Sequence, residues 1–77
     1  MNKVMFFAHL RDVVGEEFLS IELEGKTVAE AKSLINEKYP ALNLDTVMTA
    51  VNEEFAGNDE ILNDGDVIAF IPPVSGG

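Results

Sequence analysis

Two five-residue runs, Val4-Met5-Phe6-Phe7-Ala8 near the start and Val67-Ile68-Ala69-Phe70-Ile71 near the end, are apolar at every position. Successive side chains of a strand point to opposite faces. Val4, Phe6 and Ala8 therefore share one face and Met5 and Phe7 the other, while Ile68 and Phe70 oppose Val67, Ala69 and Ile71. Strands apolar on both faces normally lie in a sheet covered on both sides. One segment alone has the pattern of a long covering helix, so the second face needs another cover. That cover is either a partner protein or this chain's own Phe18, Leu42, Leu44 and Val47-Met48.

The covering helix is announced by Thr27-Val28-Ala29-Glu30, a capping box in which the threonine oxygen and the glutamate three residues on satisfy orphan amides reciprocally. Val28, Ala31, Leu34, Ile35 and Tyr39 then form an apolar stripe at helical spacing, with Glu30, Ser33, Asn36 and Glu37 off it. Pro40 disfavours helix at Tyr39 and ends the segment. The first strand is expected over Lys3–His9, then a short helical turn closed by Gly15. A second strand over Phe18–Leu23 places Leu19, Ile21 and Leu23 on one face. After a turn at Glu24-Gly25-Lys26 and the helix, Val47–Phe55 contains a strand centred on Ala50-Val51-Asn52. Gly57-Asn58 and Asn63-Asp64-Gly65-Asp66 are turns, Ile61-Leu62 is a short apolar pair, and Val67–Ile71 is the last strand. Pro72-Pro73 stops it, because neither residue can donate to a ladder.

The order strand, strand, helix, strand, strand, with one main helix across one face of a mixed sheet, predicts an α+β roll of the ubiquitin-like β-grasp type. The predicted division is a domain over 1–71 and a flexible C-terminal tail over 72–77. A chain of 77 residues buries only about 60% of the surface its unfolded form exposes. Its 47% apolar and 25% charged residues are globular proportions. With no cysteine, disulfides, thiolate metal sites and cysteine nucleophiles are excluded. No apolar run approaches the ~20 residues that span a bilayer, and the start lacks a signal peptide's pattern, so a cytoplasmic protein with no membrane partner is expected. The net charge of −9 repels phosphate backbones, which argues against nucleic acid and favours a partner with a basic surface.

The tail sets the functional expectation. Gly76-Gly77 at the end has a chance frequency of about 0.5% for a glycine usage near 7%. Two prolines restrict the exit from the strand, and from Pro72 the tail reaches at most about 20 Å. Glycine has no Cβ, so such a tip can enter a channel closed to other residues. Its carboxylate is a poor acyl donor until activated. Adenylation by ATP makes it a mixed anhydride, which a sulfur nucleophile converts to a thiocarboxylate, with partner enzymes supplying the catalysis.

Lys3-Val4-Met5-Phe6-Phe7-Ala8-His9-Leu10-Arg11-Asp12, the central Ala50-Val51-Asn52 and the close from Asp64 to Gly77 resemble the small, sulfur-carrier subunits of molybdopterin synthases. The resemblance covers essentially the whole chain. It implies that Gly77, with Gly76, is adenylated by a ubiquitin-activating-like enzyme using ATP, converted to a thiocarboxylate, and inserted into the large subunit's active site. There sulfur passes to cyclic pyranopterin monophosphate to form molybdopterin. It implies a heterotetramer of two large and two small subunits, no cofactor bound by this chain, and no autonomous catalysis. Phe7, Phe55 and Ile71 fall where such carriers present apolar contacts, and Pro72, Pro73, Val74 and Ser75 belong to the inserted tail. A thiamine-type sulfur carrier would also end in Gly-Gly, but usually lacks the double proline; a ubiquitin-like modifier of lysines shares the same tip.

Other residues offer less. His9 has no second histidine or cysteine to complete a metal set, and no metal site is expected. Glu16-Glu17, Glu53-Glu54 and Asp59-Glu60 read as solvated surface, because adjacent strand residues diverge. Asp64 and Asp66 are turn formers without calcium-loop spacing. Arg11 pairs with an acid of this chain or of a partner. Ser75 lacks a base and an orienting acid and is a narrow tail residue.

Overall fold

The computed structural model describes residues 1–42 and 44–72. Its elements are β1 (Asn2–Phe6), α1 (His9–Val14), β2 (Phe18–Ile21), α2 (Val28–Lys38), β3 (Met48–Val51), β4 (Glu54–Phe55) and β5 (Val67–Ile71). The strands form one mixed sheet in the order β2-β1-β5-β3-β4. β1 and β5 run parallel at its centre, and every other neighbouring pair is antiparallel. This is the α+β roll expected from the element order, with one strand more than the sequence pattern gave.

The core lies between α2 and one face of the sheet. Val4 and Phe6 of β1, Ile68 and Phe70 of β5, and Val28, Ala31 and Ile35 of α2 are buried in one cluster. The rings of Phe6 and Phe70, paired across the parallel strands, lie 6.1 Å apart. Thr27 caps α2 as expected: its hydroxyl accepts from the Glu30 amide at 3.2 Å, and the Thr27 amide donates to the Glu30 carboxylate at 2.9 Å. Gly15 closes α1 with φ 82°, a left-handed conformation that glycine adopts without Cβ strain.

Four local expectations need correction. β1 stops at Phe6 instead of running to His9, because Ala8 turns to φ 55° and starts α1. Leu34 is on the helix but 38% exposed, so the buried stripe is narrower than the apolar one. Asn52 is not in a strand centre: β3 and β4 form a hairpin in which Val51 pairs with Glu54. Asn52 and Glu53 are its two-residue turn, with φ 52° and 72°, the signs of a type I′ turn. The usual marker of that turn is Asn-Gly, and glutamate at the second position hides it. Finally, Leu42 and Leu44 join the α2-side core and Val47 packs against it, so these three residues do not cover the other face.

Replacing Glu53 by glycine removes the Cβ from a left-handed position and is expected to raise stability by about 0.5–1 kcal/mol, read as a Tm several degrees higher. Ile35→Ala, in contrast, should cost about 2–5 kcal/mol, while Leu34→Ala should cost under about 1 kcal/mol. Urea unfolding of the three variants distinguishes them.

Candidate functional site: the open face of the sheet

The face of the sheet opposite α2 is apolar from edge to edge. In the strand register Phe18 of β2 pairs with Met5 of β1, Met5 with Ala69 of β5, Ala69 with Ala50 of β3, and Ala50 with Phe55 of β4. Pairing partners share a face, so this is one row of side chains across all five strands. Its shape follows from side-chain size. Small alanines sit in the middle, and phenylalanines stand at the two ends, Phe55 being 73% exposed and Phe18 42%. The result is a shallow trough of about 470 Å³, lined by Met5, Phe7, Ala50, Asn52, Glu53, Val67 and Ala69. Met48 and Ile71, paired with each other, extend the apolar surface toward the C-terminal end of β5.

Phe18 and Met48, named above as possible covers, are partly exposed parts of this surface. Phe7, Phe55 and Ile71 belong to it. Arg11 does not line the trough; it projects from α1, and its Nε donates at 3.5 Å to the Phe6 carbonyl, with no acidic partner among the described residues. His9 is exposed at the start of α1, and the paired acids Glu16-Glu17, Glu53-Glu54 and Asp59-Glu60 are exposed as well. Pro72 follows β5 and is half-buried. Pro73, Val74, Ser75, Gly76 and Gly77 lie outside the described residues. Alternation places Met5 and Ala69 on this face, but Ala50 and the row that joins them become visible only once the register is known. Lys3, one residue pair further along, holds its ammonium 4.4 Å from the centre of the Phe18 ring and so buttresses that end.

The end of β5 away from the tail is fixed by a polar clamp. Asn2, only 2% exposed, donates through Nδ2 to the carbonyls of Asn63 at 2.8 Å and Asp66 at 3.1 Å, and its Oδ1 accepts from the Leu23 amide at 3.0 Å. Asn52 donates to the Asp66 carboxylate at 2.9 Å and accepts from the Val67 amide at 3.0 Å. Asp66 also accepts from the Asn63 amide at 2.8 Å. The hydrogen bonds from the Asn63 backbone and the Asn52 side chain hold its carboxyl below the ordinary value of 3.8. Nearby, the exposed carboxylates of Glu22, Glu24 and Asp64 gather. The Met1 amino group meets Glu22 and Asp64, so this cluster is already partly neutralised.

A five-stranded mixed sheet with one long helix across one face and an apolar opposite face defines the ubiquitin-like β-grasp class. More closely, the chain belongs to the ThiS family, whose model matches residues 4–77. It is 35% identical over its whole length to the whole of the molybdopterin synthase sulfur carrier subunit of Escherichia coli. It is 38% identical to the subunit of the same name from Chlamydomonas reinhardtii, over 97% of this chain and 96% of the other. A solved complex of subunits 1 and 2 of the molybdopterin-converting factor from Helicobacter pylori contains a chain of the same fold. That chain has a TM-score of 0.70 and 28% identity, with 99% of this chain and 97% of that one covered.

The lowered Asp66 pKa makes a pH prediction. Because the folded value lies below the unfolded one, the carboxylate's contribution is complete above about pH 3.8 and lost as pH falls through the folded value. D66N should lower stability at neutral pH and flatten the acid limb of the profile, measured by urea unfolding between about pH 2.5 and 7. Asn2→Leu leaves the buried Leu23 amide without its side-chain partner and removes one acceptor contact each from the Asn63 and Asp66 carbonyls, and should cost about 1–3 kcal/mol at every pH.

Proposed function

We propose that this chain is the sulfur carrier of a molybdopterin synthase, acting in the cytoplasm. The observation that carries the reading is the apolar row across the open face. It is contiguous with β5, the strand that runs directly into the Gly-Gly tail. A domain that presents a partner-sized apolar surface beside a glycine tip has the two things a carrier needs: a handle and a load. The carrier names of relatives that match the chain along its entire length support the same reading, as does the converting-factor complex.

In this proposal the Gly77 carboxylate attacks the α-phosphorus of ATP in an adenylating partner, releasing pyrophosphate. A sulfur nucleophile then attacks the acyl carbon, AMP leaves, and a thiocarboxylate remains. The chain itself holds no ATP. Its contribution is positional: the trough around Ala69 and Ala50 docks, and the tail reaches the chemistry. In the large subunit the thiocarboxylate sulfur passes to cyclic pyranopterin monophosphate, and water returns Gly77 to its carboxylate. Two such deliveries per product fit an assembly of two large and two small subunits. A thiamine-type carrier or a lysine modifier would use the same tip, but the relatives' names and the Pro72-Pro73 exit favour the synthase.

Incubation with ATP, a sulfur source and the cognate activating enzyme should raise the intact mass by about 16 Da, one oxygen exchanged for sulfur. No gain with an enzyme active on another carrier overturns the reading. Deleting Gly77 should abolish sulfur delivery while leaving affinity for the large subunit within about threefold. Phe7→Asp or Ile71→Asp should do the reverse, weakening docking by about 2 kcal/mol or more, roughly thirtyfold in Kd; calorimetry with the large subunit reads both.

A further inference from the structure

The sheet has a second unpartnered feature, at its β2 edge. β2 is an edge strand. In its ladder with β1 the Phe6 amide donates to the Glu17 carbonyl at 3.1 Å, and the register places Val4 opposite Leu19 and Asn2 opposite Ile21. Hydrogen-bonded pairs alternate in an antiparallel ladder. Phe18 and Ser20 therefore turn their N–H and C=O groups away from β1, and these amides have no backbone partner among the described residues. Beside this edge, on the α2 side, runs a groove of about 370 Å³ lined by Ile21, Leu34, Glu37 and Lys38. It explains why Leu34 departs from the buried stripe: its side chain is one wall of the groove, and Ile21 is the other.

An exposed edge with an apolar groove next to it is a template for another strand. The surrounding charges say which. Glu16 and Glu17 precede β2, and Glu22 and Glu24 follow it, all exposed, and Glu37 lines the groove; these five acids outnumber the Met1 amino group on Glu22, Lys3 over Phe18, and Lys38 in the groove. A second copy of this chain is disfavoured. In the two antiparallel registers that overlap two β2 strands best, with Phe18 opposite Ser20 or Ser20 opposite Ser20, Glu16 of each falls opposite Glu22 or Glu24 of the other. Like charges placed opposite destabilise a pair. The same glutamates attract cations at both ends of an added strand.

We propose that the β2 edge binds an extended segment of a partner protein by strand addition. That segment carries alternating β-branched residues, one set of which enters the Ile21–Leu34 groove, and Lys or Arg at both ends. Ile21 and Leu34 do not line the trough, so the groove is a second contact surface beside the open face. It stands or falls independently of the sulfur-carrier reading, since its readout involves no sulfur transfer.

The test uses the full-length ¹⁵N-labelled chain and two capped synthetic peptides. One is Lys-Lys-Val-Thr-Val-Thr-Val-Lys-Lys; the other has Glu in place of every Lys. The basic peptide should shift the Phe18 and Ser20 amide resonances and slow their hydrogen exchange. The acidic peptide should bind at least about tenfold more weakly. Ser20→Pro removes an outward N–H that β1 does not use and should weaken binding about tenfold or more. Glu22→Lys and Leu34→Ser, both surface changes, should each weaken it severalfold, and they carry the test if the proline variant fails to fold. Three results overturn the proposal: shifts confined to Met5, Ala50 and Ala69, equal binding of the two peptides, or no shift up to about 1 mM peptide.

Discussion

β5 lies between β1 and β3, hydrogen-bonded to both, and the rest of the molecule is arranged around that position. Its Ile68 and Phe70 are completely buried against α2 and the neighbouring strands, while Val67, Ala69 and Ile71 look out from the other face. A central strand in a parallel pair is ordinarily covered on both sides. Here the described residues supply one cover. Such a sheet holds together because the covered side is dense, from Val4 and Phe6 through Leu23, Ile35 and Leu62 to Phe70, and because the polar clamp at Asn2 and Asn52 fixes the start of β5. The uncovered side is thereby free to serve something other than stability.

Much of this was legible from residue type and spacing, and the exceptions have specific causes. The capping box at Thr27 and Glu30, the glycine stop at Gly15 and the double-sided apolarity of β1 and β5 are local patterns, and local patterns survive folding. The β3–β4 hairpin was not legible because Glu53 stands where glycine normally reports a left-handed residue. Leu34 belongs to the helical stripe by periodicity, yet the short β2 leaves it without a partner, a fact of sheet width and not of helix phase. Asn2 gave no signal at all. An asparagine beside a strand looks like surface, and only the return of residues 63–66 past it makes it a buried three-way bridge. The trough was half legible: alternation names which residues face away from α2, but the alanine centre depends on cross-strand register.

Charge reconciles the open face with a chain that must remain dispersed. An apolar surface of several large side chains invites self-association. Against this the net charge of −9 acts between copies, and the acids concentrate around the end of the sheet away from the tail, at Glu22, Glu24, Glu53, Glu54, Asp64 and Asp66. Two copies repel, and a basic partner is attracted to the same body. The apolar row then decides how the partner sits, since burial of Phe18 and Phe55 is short-ranged and depends on fit.

The central position of β5 also decides how accurately a load at the chain's end can be presented. A tail leaving an edge strand would be anchored on one side, and its origin would move with fraying of that edge. Here the chain leaves from Ile71, which is paired to Met48, directly after Phe70, which is paired to both Phe6 and Thr49. A one-residue slip of β5 would push Ile68 and Phe70 into water and bring Val67, Ala69 and Ile71 under the helix. The burial of two large side chains thus fixes the register. Because Ala69 in the trough and Ile71 at the exit belong to the same strand, whatever grips the trough also fixes where the tail begins. The docking surface and the launch point are two parts of one five-residue element, and neither can move without the other.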